Sequence, residues 1–354
     1  MIPEPPPNPG AAPSASGDSA NLESYIQHTR RPPPVMMMTW GPPPYAAIPA
    51  AATRPILRKG RTNRILLYNG CFNPPHRGHL AHLRHAFRYA GADLNVVGAV
   101  ILVAGDEYLR WKLGRDSGAG LKLDEGDRMV LWEEGLQEEG INWCWVFAEN
   151  DWMRAVEILE RKFEEDGFDV EFVHLAGGDK VSLNFVQRGV WGCQMAITTD
   201  ISRPVDFYDS NPGTTNSMPK NLRNHTQWER VSQWPEEEAR IRGVLEREKE
   251  KLLGPFDELP RTKPSYRAQT PVRPVYTCRS VNQHYTNTVY TLRFVSSAPA
   301  ERLDPTLSST NVRAIINEAQ ARTRDADAQT QVDELAGRLR GVALCPELLA
   351  ESEG

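Results

Sequence analysis

The chain has no run of about 18 apolar residues, so a membrane-spanning helix is not expected. It shows no basic stretch followed by an apolar one near its amino end, so no secretory signal is expected. Cysteine is scarce. Cys71, Cys144, Cys193, Cys278 and Cys345 are scattered and odd in number, and they include no C-x-x-C pair. This spacing argues against a disulfide framework and a cysteine zinc site, and it suits a reducing compartment, cytoplasmic or nuclear. An excess of positive charge is also missing. The 41 Lys and Arg are outnumbered by 46 Asp and Glu, for a net charge of -5 and a pI near 6.0. A general nucleic-acid surface is therefore not expected, and any phosphate binding should be local.

Proline is abundant, and half of the 28 prolines fall in the first 60 residues, in runs such as Pro32-Pro33-Pro34 and Pro42-Pro43-Pro44. Runs of this kind support neither strand ladders nor helix interiors. Residues 1–60 read as a disordered leader of polyproline II character, or as a docking site for a proline-reading partner.

Regular patterning starts near Arg61. Short apolar runs at 64–68, 96–103, 144–148, 170–175 and 195–199 read as buried strands. Between them, 79–90, 125–139 and 152–165 carry apolar residues at helical spacing. Strands alternating with helices predict an α/β fold, a Rossmann-like parallel sheet with helices on both faces. The stretch 204–270 is rich in Pro, Asn and charge, with a charged helix expected over 235–253, and reads as an insertion. A strand returns at 289–295, and a helix follows from about Asn311.

The segment Gly70-Cys71-Phe72-Asn73-Pro74-Pro75-His76-Arg77-Gly78-His79-Leu80 follows a strand and opens a helix. A helix start offers free N–H groups and a positive dipole end to an anion. Gly70 and Gly78 permit close approach of backbone to a ligand. His76 and His79, three apart, can face one anion, and imidazole N–H groups can stabilise charge on phosphate oxygens. The same spacing also suits a metal pair or two surface histidines. Near the other end, Ser308, Ser309 and Thr310 suit a helix cap, with Arg313 one turn in and able to fork onto phosphate.

Gly70-x-Phe72-x-Pro74-x-His76-x-Gly78-His79 resembles the G-x-F-x-P-x-H-x-G-H signature of the nucleotidylyltransferase superfamily. With Asn73, it is most similar to the nicotinamide and nicotinate mononucleotide adenylyltransferases. Leu307-Ser308-Ser309-Thr310-Asn311-Val312-Arg313 resembles the family's late I-S-S-T-x-x-R, with Leu307 in place of Ile. The resemblance implies one nucleotidylyltransferase domain over 61–354, with 204–287 unmatched. It implies catalytic roles for His76, His79 and Arg313. It places ATP against Gly70, Cys71, Phe72, Gly78, Ser308, Ser309 and Thr310, and against Gly177 and Asp179 of a G-x-D-like turn. It assigns the mononucleotide to Lys122, Trp152, Trp191 and Arg203, the tryptophans stacking on the nicotinamide ring. Mg2+ is implied as the companion of ATP, without a metal site on the protein, and self-association into a homo-oligomer is common in this fold class. Asp127 departs from the family, which has His there. Two alternatives stay open: a cytidylyl- or other nucleotidylyltransferase with a different acceptor, and a non-catalytic nucleotide-binding regulator.

Overall fold

A computed structural model describes residues 17–29, 55–114, 122–209, 218–231, 274–281, 289–323 and 327–351. The first elements are β1 (Ser19–Asn21), α1 (Leu22–Thr29) and β2 (Ile56–Arg58), with β1 and β2 paired antiparallel. They correct the expectation of a leader without regular structure up to residue 60. Residues 14–31 are free of proline, and Leu22, Tyr25 and Ile26 recur at helical spacing. Asn21 caps the helix, its side chain accepting from the Glu23 N–H at 3.1 Å. The rest of the leader, with its docking reading, lies outside the described residues.

The central sheet then forms. β3 (Asn63–Gly70) runs into α2 (Arg77–Tyr89), and β4 (Val96–Val103) into α3 (Asp106–Gly114) and α4 (Glu125–Glu138). β5 (Cys144–Ala148) leads directly into α5 (Glu149–Glu165), followed by β6 (Val170–Leu175). A small hairpin of β7 (Val181–Ser182) and β8 (Phe185–Val186) precedes β9 (Met195–Thr199). β10 (Glu229–Arg230), β11 (Val275–Arg279) and β12 (Thr291–Val295) come next. Then follow α6 (Ser309–Arg322), α7 (Ala328–Leu339) and α8 (Pro346–Glu351).

The strand order is β10-β11-β12-β9-β6-β3-β4-β5, parallel from β12 to β5. Inward-facing, largely β-branched runs such as Val96–Val103 suit strands covered on both sides. One face packs against α2, α4, α6, α7 and α8, and the other against α1 and α5. The α/β expectation therefore holds. β11 and β10 add two antiparallel strands at the sheet edge, so the segment expected as an insertion is in part sheet. The helix expected over 235–253 lies outside the described residues.

Winding runs one way from β3 to β4 and β5, and the other way from β3 to β6 and β9. The reversal leaves a crevice at the carboxyl ends of β3 and β6, where open sheets of this kind receive ligands. The histidine loop, Ala176–Asp179 and Asp200–Arg203 all leave strands at that edge.

Candidate functional site

The loop after β3 is built around its aromatic and imidazole rings. Phe72 sits at φ 45°, and its ring folds back against Tyr68, His79 and Trp132. A β-carbon on Gly70 would lie 2.9 Å from the Phe72 ring, and one on Gly78 would lie 2.9 Å from the His76 ring. The two glycines thus make room for the side chains of the loop itself, a more specific demand than the ligand approach expected from sequence.

His76 is the N-cap of α2. Its Nδ1 accepts from the Gly78 N–H at 3.1 Å, while the His76 N–H donates to His79 Nδ1 at 3.3 Å. The two rings stack with centroids 3.7 Å apart. With both Nδ1 atoms accepting, each neutral ring must carry its proton on Nε2. His76 is 2% exposed, and its Nε2 is buried with no hydrogen-bond partner among the described residues. Burial, then the Arg203 charge, pulls the His76 pKa down to about 3; burial and then the neighbouring His76 hold His79 well below the usual imidazole range. The pair is therefore two neutral Nε2–H donors at the start of a helix.

The late signature meets this loop although it lies far along the chain. Ser308 caps α6, its Oγ accepting from the Asn311 N–H at 3.2 Å. The Ser309 hydroxyl donates to the Pro74 carbonyl at 2.9 Å. Arg313 donates to the Asn73 carbonyl at 2.7 Å and to the Thr310 hydroxyl at 3.2 Å. Residues 342–344 grip the loop from another side: the Arg77 N–H donates to the Val342 carbonyl at 3.0 Å, and His76 bridges to Ala343.

Three further elements frame the site. His82 donates from Nε2 to the Ala176 carbonyl at 3.1 Å, and its Nδ1 accepts from the Thr199 hydroxyl at 2.9 Å. This links α2 to the turns after β6 and β9, which carry Gly177, Asp179 and Arg203. Asp179 is exposed beside Lys180, and its charge is felt at Tyr68 and His82. Arg203 is exposed, and its charge is felt at both His76 and His79. Asp200, 2% exposed, accepts from the Ser297 N–H and hydroxyl, both at 2.7 Å, and from Arg302. Lys122 is exposed, next to Leu123, whose N–H donates to the Asn73 side chain at 3.0 Å.

Arg128 was not assigned a site role from sequence. It is fully buried and donates to the carbonyls of Cys71 and Ala104, both at 2.8 Å, to the Asp124 carbonyl at 3.0 Å, and to Asp106 at 2.7 Å. One guanidinium thereby joins the histidine loop, the end of β4, α3 and α4. The Cys71 side chain packs with Ala104 and Leu109, and burial raises its pKa, which suits a structural thiol. All five cysteines are buried and free.

Two expected site residues lie elsewhere. Trp152 is 1% exposed in the core beneath α5, edge-on to Phe147 and Phe172. In this structure its ring packs as part of that core. Trp191 lies in a short turn preceding β9, with φ 55°, and packs against the same core. That turn leads to the amino end of β9, whereas the histidine loop leaves the carboxyl end of β3. Among the described residues no three His, Cys, Asp or Glu side chains come together as a metal cluster.

A loop and helix start at the switch point of a mostly parallel sheet form the place where α/β proteins of this build receive nucleotide phosphates. The family described as Cytidylyltransferase-like matches residues 67–110, which run from β3 through the histidine loop and α2 into α3. The "Bifunctional protein HldE" of Shewanella amazonensis (strain ATCC BAA-1098 / SB2B) is 28% identical over 141 residues, 40% of this chain and 27% of that protein. The chain thus spans about a quarter of the length of that relative. These findings support a nucleotidylyltransferase in general. No helix among the described residues is long and apolar enough to cross a membrane.

Proposed function

We propose that the protein transfers an adenylyl group from ATP to a pyridine mononucleotide, nicotinamide or nicotinate mononucleotide, releasing pyrophosphate. The observation that carries this reading is the meeting of two distant signatures at one loop: Arg313 and Ser309 hold the carbonyls of Asn73 and Pro74, beside the stacked pair His76 and His79. A phosphate oxygen of the acceptor attacks the α-phosphorus of ATP. A bond forms between them, the bond from the α-phosphorus to the bridging oxygen breaks, and pyrophosphate leaves with its Mg2+. The attacking phosphate is already an anion, so no general base is required. The protein's work is to align two polyanions and to stabilise charge on the phosphoryl oxygens. The Nε2–H groups of His76 and His79 donate to those oxygens, and neutral donors need no proton uptake to act. Arg313 orients the loop and adds positive charge, Ser308, Ser309 and Thr310 stand at the triphosphate, and Asp179 takes the ribose.

A second reading keeps the chemistry and changes the nucleotide. The description of the matching family favours cytidylyl transfer from CTP. The test is pyrophosphate release from ATP or CTP with nicotinamide mononucleotide, nicotinate mononucleotide and phosphorylated acceptors without a pyridine ring. Release with ATP and a pyridine mononucleotide, lowered at least about a hundredfold in His79→Ala, is expected. Release with CTP alone selects the second reading. ATP binding without release from any pair points to a non-catalytic nucleotide sensor.

A further inference from the structure

Trp152 lies in the core and Trp191 before β9, but α3 carries exposed aromatic surface at the carboxyl edge of the sheet. Tyr108 and Trp111 stack on each other, centroids 5.6 Å apart at 28°, and are 50% and 54% exposed. α3 leaves the carboxyl end of β4, the same sheet edge as the histidine loop. It is held there twice: Leu109 packs against Cys71 and Ala104, and Asp106 accepts from Arg128 at 2.7 Å. Tyr108, Trp111 and Lys112 stand at i, i+3 and i+4, on one side of the helix. Lys112 is close enough for its charge to be felt at His79 and Cys71. The start of α3 thus adjoins the histidine loop, and the helix carries an aromatic pair and a cation on one side.

We infer that Tyr108 and Trp111 form a stacking platform for the flat, electron-poor ring of the acceptor mononucleotide, whose phosphate lies toward Lys112 and the histidines. The inference rests on the acceptor proposed above. A pyridinium is attracted to the electron-rich face of an indole, and a phosphate to an ammonium, so α3 carries a group for each end of the ligand. Removing one base-stacking aromatic weakens binding by about tenfold or more.

The test is calorimetric titration of the full chain with nicotinamide mononucleotide, in wild type, Trp111→Ala and Trp111→Phe. Trp111→Ala should bind at least about tenfold more weakly, with Trp111→Phe near wild type and ATP affinity unchanged in both. Equal affinity in Trp111→Ala, or no binding by wild type, overturns the platform. Pyrophosphate release separates this result from the reaction. Binding that depends on Trp111, without release from ATP, keeps the platform and removes the transfer reading. Release with an acceptor KM unchanged in Trp111→Ala keeps the reaction and removes the platform.

Discussion

In both His76 and His79 the main chain engages Nδ1 and not Nε2. Each Nδ1 accepts a main-chain N–H, so protonating either ring would break a bond that shapes the loop. Burial works in the same direction, and it also lowers His82 and His174 to about 4. An unfolded imidazole takes up a proton below about pH 6.5, whereas these rings stay neutral until well below that. Stability is thus complete above about pH 6.5 and is lost as pH falls toward 4, because the unfolded chain binds the extra protons. At pH 5, His82 and His174 should each cost on the order of 2 kcal/mol relative to neutral pH. Urea midpoints at pH 7.5 and 5.0 measure this, and equal midpoints would rule out neutral burial. Turnover should show no histidine limb between pH 5.5 and 8, because His76 and His79 keep one protonation state throughout.

At the scale of elements, Arg128 is the tie that a motif search does not value. Its place in Leu123-Asp124-Glu125-Gly126-Asp127-Arg128 marks only a helix start. Its burial and its bonds to Cys71, Ala104 and Asp106 come from β3, β4 and α3 converging on it. Arg128→Met should leave those carbonyls and Asp106 without their donor and destabilise the protein by about 3 kcal/mol. Urea unfolding measures the loss, and a change within a few tenths of a kcal/mol would show that the tie is dispensable. The helix α1 gives a second case. Leu22 is fully buried between α1 and the sheet, so Leu22→Ala should cost on the order of 2–5 kcal/mol. A wild-type midpoint in that variant would mean that α1 does not dock in solution.

For the whole molecule, the site exists only when both parts of the chain are in place, since the loop at Asn73 and the helix bearing Arg313 are 240 residues apart in sequence. On the proposed function, a nucleotide bridging them would bind the folded state alone, and at a hundred times its Kd should raise stability by about 2.7 kcal/mol. Arg313→Ala should keep a cooperative transition yet lose most of the rise in Tm produced by ATP. A full rise in that variant would place the nucleotide away from the two-signature loop.

Sequence alone determined the central parallel strands and the histidine loop. Val96–Val103, Cys144–Ala148, Val170–Leu175 and Met195–Thr199 stand in the structure at their expected bounds, because local apolar runs and turn residues act within a few positions. The histidine, glycine and serine spacing was legible for the same reason, being set by one strand–loop–helix unit and one helix cap. Tertiary structure decided what periodicity leaves open. An aromatic at helical spacing faces either a core or a ligand, and only the packing of α5 on the sheet put Trp152 inside while α3 left Tyr108 and Trp111 at the rim. Proline content masked α1, because composition averaged over 60 residues hides an 18-residue stretch that docks on a distant core. The bonds of Arg128 and His82, and the edge strands β10 and β11, depend on segments far apart in sequence. Their partners are chosen by the closing of the sheet, which no local pattern records.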